Sequence, residues 1–254
     1  MKRFQKNPIV IFLMNVVAII VAYYVSILLH EWAHGIAAWL CGAKNSPFNV
    51  QYGGWFLMNA DENVNYTQLI DSGRGLSAAL IGIAGSSVSF IFAVICFILL
   101  SNKNFRQSAV KFIFVYWFLM INMVPLVQYL TISTFSSRGD VGRFIYGLNI
   151  SAWWVFFPGT LFIIFSVIRI LKIEVPKSYA VIPIKSLLGQ NIFLLATLGI
   201  LFLFIYTHGY NPLTDQGMNT FSRALAILSI ILVPILFILC YPSRNWVKKA
   251  VTRY

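Results

Sequence analysis

His30-Glu31-Trp32-Ala33-His34 lies inside an apolar stretch that runs from Ile9 to Gly42. Two histidines four residues apart on a helix share one face, where both imidazoles reach a single Zn²⁺. The glutamate between them is placed to take a proton from a water at that metal. The chain has three His and only Glu31, Glu62 and Glu174. At those frequencies an HExxH string arises by chance in about 4 of 10,000 chains of this length, which lifts the match above an ordinary motif hit. A buried helix can also carry a His pair held by neighbouring hydroxyls. Ionisable residues inside a membrane are costly, however, and mark function by default.

The surrounding composition fixes the class. Of 254 residues, 59% are hydrophobic and 10% charged, with mean hydropathy +0.79. A soluble domain carries about 25% charged residues, so the sequence describes an all-α polytopic membrane protein. Six apolar runs stand out, each near the roughly 20 residues that cross a bilayer. They are about Ile9–Leu40, Leu76–Leu100, Ala109–Ile132, Phe144–Leu171 with a kink at Pro158, Leu187–Tyr206 and Phe221–Tyr241. The first is too long for a cleaved signal peptide and holds the motif. Cys41, Cys96 and Cys240 lie far apart in or beside apolar runs and read as small hydrophobes.

The net charge of +12 does not point to nucleic acid, because the cations cluster at the ends of apolar runs. There they set topology and meet lipid headgroups. Alternate loops hold 14 and 5 of the Lys and Arg residues. The richer side contains both termini, which places them in the cytoplasm. The loop from Ala43 to Gly75 falls on the poorer side. Within it, Asn49–Tyr52 and Trp55–Asn59 flank Gly53-Gly54 and read as two short strands of a hairpin. Such a hairpin offers an edge to an extended peptide.

A catalytic zinc has three protein ligands and one open position. His30 and His34 supply two. His208, the loop acids Asp61, Glu62 and Asp71, and Glu174 among the lysines are candidates for the third. Asp140, directly before the fourth run, is the favoured one because so few acids can approach the metal. An Asp before an apolar helix is also an ordinary N-cap.

Ile27-Leu28-Leu29-His30-Glu31-Trp32-Ala33-His34-Gly35 resembles the zinc motif of the site-2 protease family of intramembrane metallopeptidases. Gly82-Ile83-Ala84-Gly85-Ser86-Ser87 resembles that family's small-residue motif on the next helix. Asn122-Met123-Val124-Pro125 resembles its Asn-x-x-Pro, and Asp140-Val141-Gly142-Arg143 a variant of its Asp-Gly segment. The resemblance covers about Ile9 to Ile150. It departs from the family pattern in three ways. Ser86 stands where the family has Pro. Val141 separates Asp140 from Gly142. Asn122 and Asp140 are 18 positions apart, as an insertion between Val127 and Arg138 would produce. The resemblance also implies a site toward the cytoplasm, whereas the charge count puts His30 and His34 near the far end of the first run.

The resemblance implies hydrolysis of a peptide bond within or near a transmembrane segment of a substrate protein, with one Zn²⁺ on His30, His34 and Asp140. Glu31 is the implied general base, and Asn122 either holds the substrate or an oxyanion, or bonds between helices. Gly35, Gly82 and Gly85 read as close helix packing. Residues 1–150 form the expected catalytic membrane core, with 151–254 completing or covering it. The expected partners are the lipid bilayer and a transmembrane substrate, and the expected location is the cell membrane. The sequence leaves the oligomeric state open. Two other classes remain: a non-proteolytic binding or regulatory protein that keeps the fold, and a metal transporter. A transporter needs ionisable groups along a path through the bilayer, and few are present.

The charge count makes a direct prediction. Reporter fusions after Lys103 and at Tyr254 should both report the cytoplasmic side; two signals from the opposite side would overturn the orientation.

Overall fold

The structure is a computed structural model and describes residues 7–57, 60–184, 186–206, 213–214, 218–243 and 246–247. His208, one of the third-ligand candidates, lies outside them, as do the cations of both termini.

Helix α1 spans Pro8–Leu40. Asn7 caps it by accepting a bond from the Ile9 amide at 2.9 Å, and Pro8 sits where its missing N–H costs nothing. At 1.5 Å per residue α1 is about 50 Å long, more than the roughly 30 Å hydrocarbon core requires. It ends at Cys41, with Gly42 at φ +66 reversing the chain. The following loop carries a short helix α2, Tyr66–Asp71, capped by Asn65. Then come α3 at Gly75–Ser101, α4 at Ala109–Val127, α5 at Gly139–Leu148 and α6 at Trp153–Arg169. The remainder are α7 at Val175–Val181, α8 at Leu187–Phe202 and α9 at Thr220–Leu239. Among the described residues, five helical stretches are long and apolar enough to cross a membrane, α6 and α7 counting as one. The shorter α8 runs about 24 Å. The protein is thus an all-α, multi-pass integral membrane protein.

Helix α4 is the axis of the bundle. Fifteen of its residues are buried, among them Phe112, Tyr116, Trp117, Leu119 and Met120, because α1, α3 and α8 pack around it. Lipid drives helices together weakly, so polar seams matter. Trp117 Nε1 donates to Asn15 on α1 at 2.7 Å, Asn122 Nδ2 donates to Ser26 on α1 at 2.9 Å, and Tyr116 meets Thr197 on α8 at 2.7 Å.

Two expectations change and one stays open. The stretch 144–171 is not one span: α5 ends at Leu148 with Asn149 in the left-handed region, and α6 starts afresh at Trp153. The described part of Asn49–Asn59 shows no ladder between its two halves, Met58 and Asn59 lying outside the described residues, so the hairpin is left unconfirmed. The segment's single antiparallel bridge among the described residues joins Gln51 to Asp61, and Leu57 N instead bonds back to Gly54 O. Tyr23 and Tyr24 of α1 donate to the Phe56 and Trp55 carbonyls, which spends backbone acceptors that a hairpin ladder would use. Finally, Glu174 is not in an open loop. It is fully buried in a π turn, Ile170–Glu174, that joins α6 to α7. Its carboxylate holds Arg169 at 3.3 Å and Lys177 at 2.7 Å, and both cations also donate to carbonyls at the end of α3, Phe97 at 2.8 Å and Leu100 at 3.1 Å. Cations at a helix C-terminus are favourable, so this cluster ties α6–α7 to α3.

Glu174→Gln should leave Lys177 buried with half its partner gone. Removing one member of a buried pair costs about 3–5 kcal/mol, read as a lower unfolding midpoint in detergent. The double variant Glu174→Gln, Lys177→Met should recover part of that loss.

Candidate metal centre

The site is built on α1 and α5 and held by α3. His30 and His34 lie on one face of α1, one turn apart. Asp140 arrives from the other side on α5. The π turn Gln128–Ile132 ends the α4 ladder, Ser133–Arg138 bend, and Gly139 at φ +77 restarts the chain as a helix. Asp140 is therefore in the first turn of a short separate helix rather than the cap of a spanning one, and the long Asn122–Asp140 spacing is this reversal.

The three ligand atoms form a nearly equilateral triangle. His30 Nε2 is 3.0 Å from Asp140 Oδ2, His34 Nε2 is 3.3 Å from it, and the two Nε2 atoms are 3.2 Å apart. A tetrahedral zinc with bonds of about 2.0–2.1 Å has edges of about 3.3–3.4 Å, so the donor set fits that ion. The proton inventory agrees. His34 Nδ1 faces the Ile81 carbonyl at 2.6 Å and must donate to it, so Nε2 is the nitrogen turned toward the centre. His30 Nδ1 meets Ser89 Oγ at 3.2 Å. Two imidazoles and a carboxylate converging within about 3 Å need a proton or a metal cation between them. Glu31 sits between the histidines, and its Oε2 is buried with no hydrogen-bond partner. A metal-bound water would give such an oxygen a partner.

Helix α3 supplies one contact to each ligand residue: the Ile81 carbonyl to His34, Ser89 to His30, and Ser86, which donates to Asp140 Oδ2 at 2.8 Å. These outer contacts fix tautomer and orientation. Ser86 does what a proline at that position cannot. Two glycines create the room. A Cβ on Gly85 would lie 2.6 Å from His30 Nε2 and closer still to His34 Nε2, and one on Gly82 would lie 2.8 Å from Arg143 Cβ and 3.0 Å from the Asp140 carbonyl. Gly82 thus serves helix packing as expected, Gly85 makes space for imidazoles, and Gly35 accommodates the Pro47 carbonyl of the loop. Gly82, Gly85, Ser86 and Ser89 follow the i, i+3, i+4, i+7 pattern of one helix face, a signal present in the sequence.

Asn122 lies on α4 beside this centre. Both of its amide hydrogens are engaged, by Ser26 Oγ at 2.9 Å and by the Phe118 carbonyl at 2.8 Å. Asp61 and Glu62 come near in the loop. Asp61 lines the site, and Glu62 is buried, accepting from Tyr66 and from Arg143 at 2.6 Å, while Arg143 stacks 3.9 Å over the Tyr66 ring. Burial favours a protonated Glu62, but the charges of His34 and Arg143 and the Tyr66 hydroxyl outweigh it and hold its carboxyl below the usual range. Asp140 is likewise held well below that range by the two imidazoles, against the effect of burial. Glu174 is far from this end of the bundle, on the α3 C-terminus.

Two cavities meet at His30 and Glu31. One, of about 370 Å³, has an apolar wall of Ile27, Ile121, Val124, Pro125 and Phe204, with Ser26, Asn122 and Gln128 among its polar lining. The other, of about 960 Å³, is polar and adds His34, Glu62, Asp140 and Arg143. A side chain and a water can therefore reach Glu31 from different directions.

The outer contacts predict a graded effect on metal. Ser86→Ala should weaken zinc binding about 10–100-fold, measured by chelator competition. Gly85→Ala should abolish stoichiometric zinc, because the new methyl occupies the imidazole positions. Unchanged affinity in both would detach α3 from the centre.

A family model, Peptidase family M50, matches residues 18–235. No curated protein and no solved structure matches the chain. The matched span takes in α3, α4 and α5 whole and most of α1 and α9, and so includes every residue of the His30–His34–Asp140 centre. The chain belongs to Peptidase family M50, the site-2 protease family of membrane metallopeptidases.

Proposed function

We propose that the protein is an intramembrane zinc metalloprotease that hydrolyses a peptide bond within or near a transmembrane segment of another protein. The observation that carries this is the convergence of His30, His34 and Asp140 beside the unpartnered Glu31 oxygen, where an apolar and a polar cavity join. One Zn²⁺ held by His30 Nε2, His34 Nε2 and Asp140 Oδ2 supplies Lewis acidity toward water and the scissile carbonyl.

The chain's own residues do the rest. The apolar cavity takes apolar side chains of the substrate and excludes water around them. The polar cavity admits the hydrolytic water. Glu31 takes a proton from that water as its oxygen adds to the carbonyl carbon, then returns it to the departing amine. A helical substrate hides its amides in its own bonds, so it unwinds to reach Glu31. Extended alongside Ala60–Glu62, it lies against the walls of both cavities. Asn122, its hydrogens held by α1 and by its own helix, keeps α4 in register with the catalytic helix. Residues 1–150 carry the catalytic groups, and 151–254 cover the core, with α8 closing on α4 and α9 on α8 and the π turn Gln128–Ile132. Both termini face the cytoplasm of the cell membrane, and the site opens at the end carrying the 43–75 loop.

Glu31→Gln keeps size and polarity and removes the base. Metal should stay, and cleavage of single-span substrates in liposomes should fall about 10²–10⁴-fold. Cleavage that persists unchanged would sink this mechanism.

A further inference from the structure

Hydrolysis of an amide leaves one need unmet by the residues assigned so far. As the water oxygen bonds to the carbonyl carbon, the C=O π pair moves onto the carbonyl oxygen, and that negative charge requires a preorganised donor. Two obvious donors are already engaged elsewhere. Both Asn122 hydrogens are engaged by Ser26 and Phe118. The Arg143 guanidinium is paired with Glu62 and stacked on Tyr66. Gln128 lines only the apolar cavity.

Tyr129 remains. It lines both cavities, together with His30 and Glu31. Its hydroxyl has no hydrogen-bond partner among the described residues. Asp140 and Glu31 are the strongest charged neighbours of that hydroxyl. The ring is seated rather than loose: a Cβ on Gly139 would lie 2.8 Å from Tyr129 Cε1. Gly139 precedes Asp140 and has φ +77, so the residue that turns the chain into the ligand helix also makes room for this ring. Tyr129 occupies the π turn Gln128–Ile132, a distortion frequent at functional sites because the wider turn re-aims side chains.

We infer that Tyr129 is a catalytic residue, its hydroxyl donating a hydrogen bond to the carbonyl oxygen of the scissile peptide as charge develops there. This rests on the proteolytic reading above. No proton leaves the tyrosine. The water's proton goes to Glu31, the water oxygen bonds to carbon, and the oxygen bearing the displaced pair accepts from Tyr129. When the C–N bond breaks, the pair returns to re-form C=O, and the amine nitrogen takes the proton from Glu31.

The test is Tyr129→Phe in the full-length, zinc-loaded protein in detergent, with two probes. A phosphinic tripeptide presents a tetrahedral oxyanion. A small alkyl thiol offers a metal ligand without one. Phe keeps the ring contact with Gly139, so zinc content should match the wild type. Phosphinate affinity should fall about 10²-fold, in line with the loss of one oxyanion donor, while thiol affinity stays the same. Where a cleavable substrate is found, kcat should fall by a similar factor with KM little changed. Equal phosphinate binding by wild type and variant overturns the role of Tyr129 and leaves the proteolytic reading intact. A wild type that binds zinc and thiol but no phosphinate overturns both. Loss of zinc in Tyr129→Phe also overturns it, since the residue would then act through the ligand set.

Discussion

The site depends on how closely two helices, α1 and α5, approach one face of α3. Gly82, Gly85, Ser86 and Ser89 form that face, and each removes bulk or adds a hydrogen bond at the point of contact. Without a side chain at 82 the α5 backbone settles against α3, which brings Asp140 to the histidines. Without one at 85 the imidazoles have a place to stand. In a bilayer this economy has a reason. Apolar burial drives helix association weakly there, so close contact and interhelical hydrogen bonds carry more of the load. The same contacts that join α1, α3 and α5 also orient the metal-binding atoms.

The helices leave the candidate site between two different media. On one side of Glu31, Ile, Val, Pro and Phe share the wall with Ser26, Asn122 and Gln128; on the other, Asp, Glu, Arg and Tyr predominate. A low-dielectric wall strengthens every charge interaction at the centre, and a polar one lets water in. The proposed intramembrane hydrolysis would need both, with a substrate from lipid and a nucleophile from water. Charge elsewhere is kept away from this region. The buried Glu174 cluster lies at the opposite end of α3, where its cations meet helix carbonyls. No line of ionisable residues connects the two ends among the described residues, an arrangement that suits a single reaction centre better than a transport path.

The loop after α1 adds the third layer. Lys44 donates to the Glu62 and Asn49 carbonyls, Glu62 receives Arg143, and Tyr23 and Tyr24 hold the Trp55–Phe56 backbone. Arg143 follows Asp140 by three residues on α5, so the ion pair with Glu62 couples the loop to the helix that bears the third candidate ligand. A buried pair of this kind is weak as a source of stability but strict about geometry.

Much was legible in the sequence because it depends on local spacing. Two His at i and i+4 with Glu between them state their own geometry on any helix. Long apolar runs state that they cross lipid. The scarcity of acids pointed to Asp140. What the linear order could not state was how the chain closes on itself. The 144–171 run reads as one span, yet a left-handed Asn149 splits it, and only the packing of α5 on α3 rewards that break. Asn49–Asn59 has the composition of a hairpin, but tyrosines 30 residues earlier claim its carbonyls. Glu174 looks solvated among lysines and is buried, because its partners sit on α6 and α7 and cap a helix about 70 residues away in sequence. Ser86, Ser89 and Tyr129 carry no motif that marks them, since a hydroxyl gains its role only from what faces it. Helical periodicity is a property of neighbours in the chain; a metal triangle, a buried ion pair and a free hydroxyl beside a carboxylate are properties of neighbours in space.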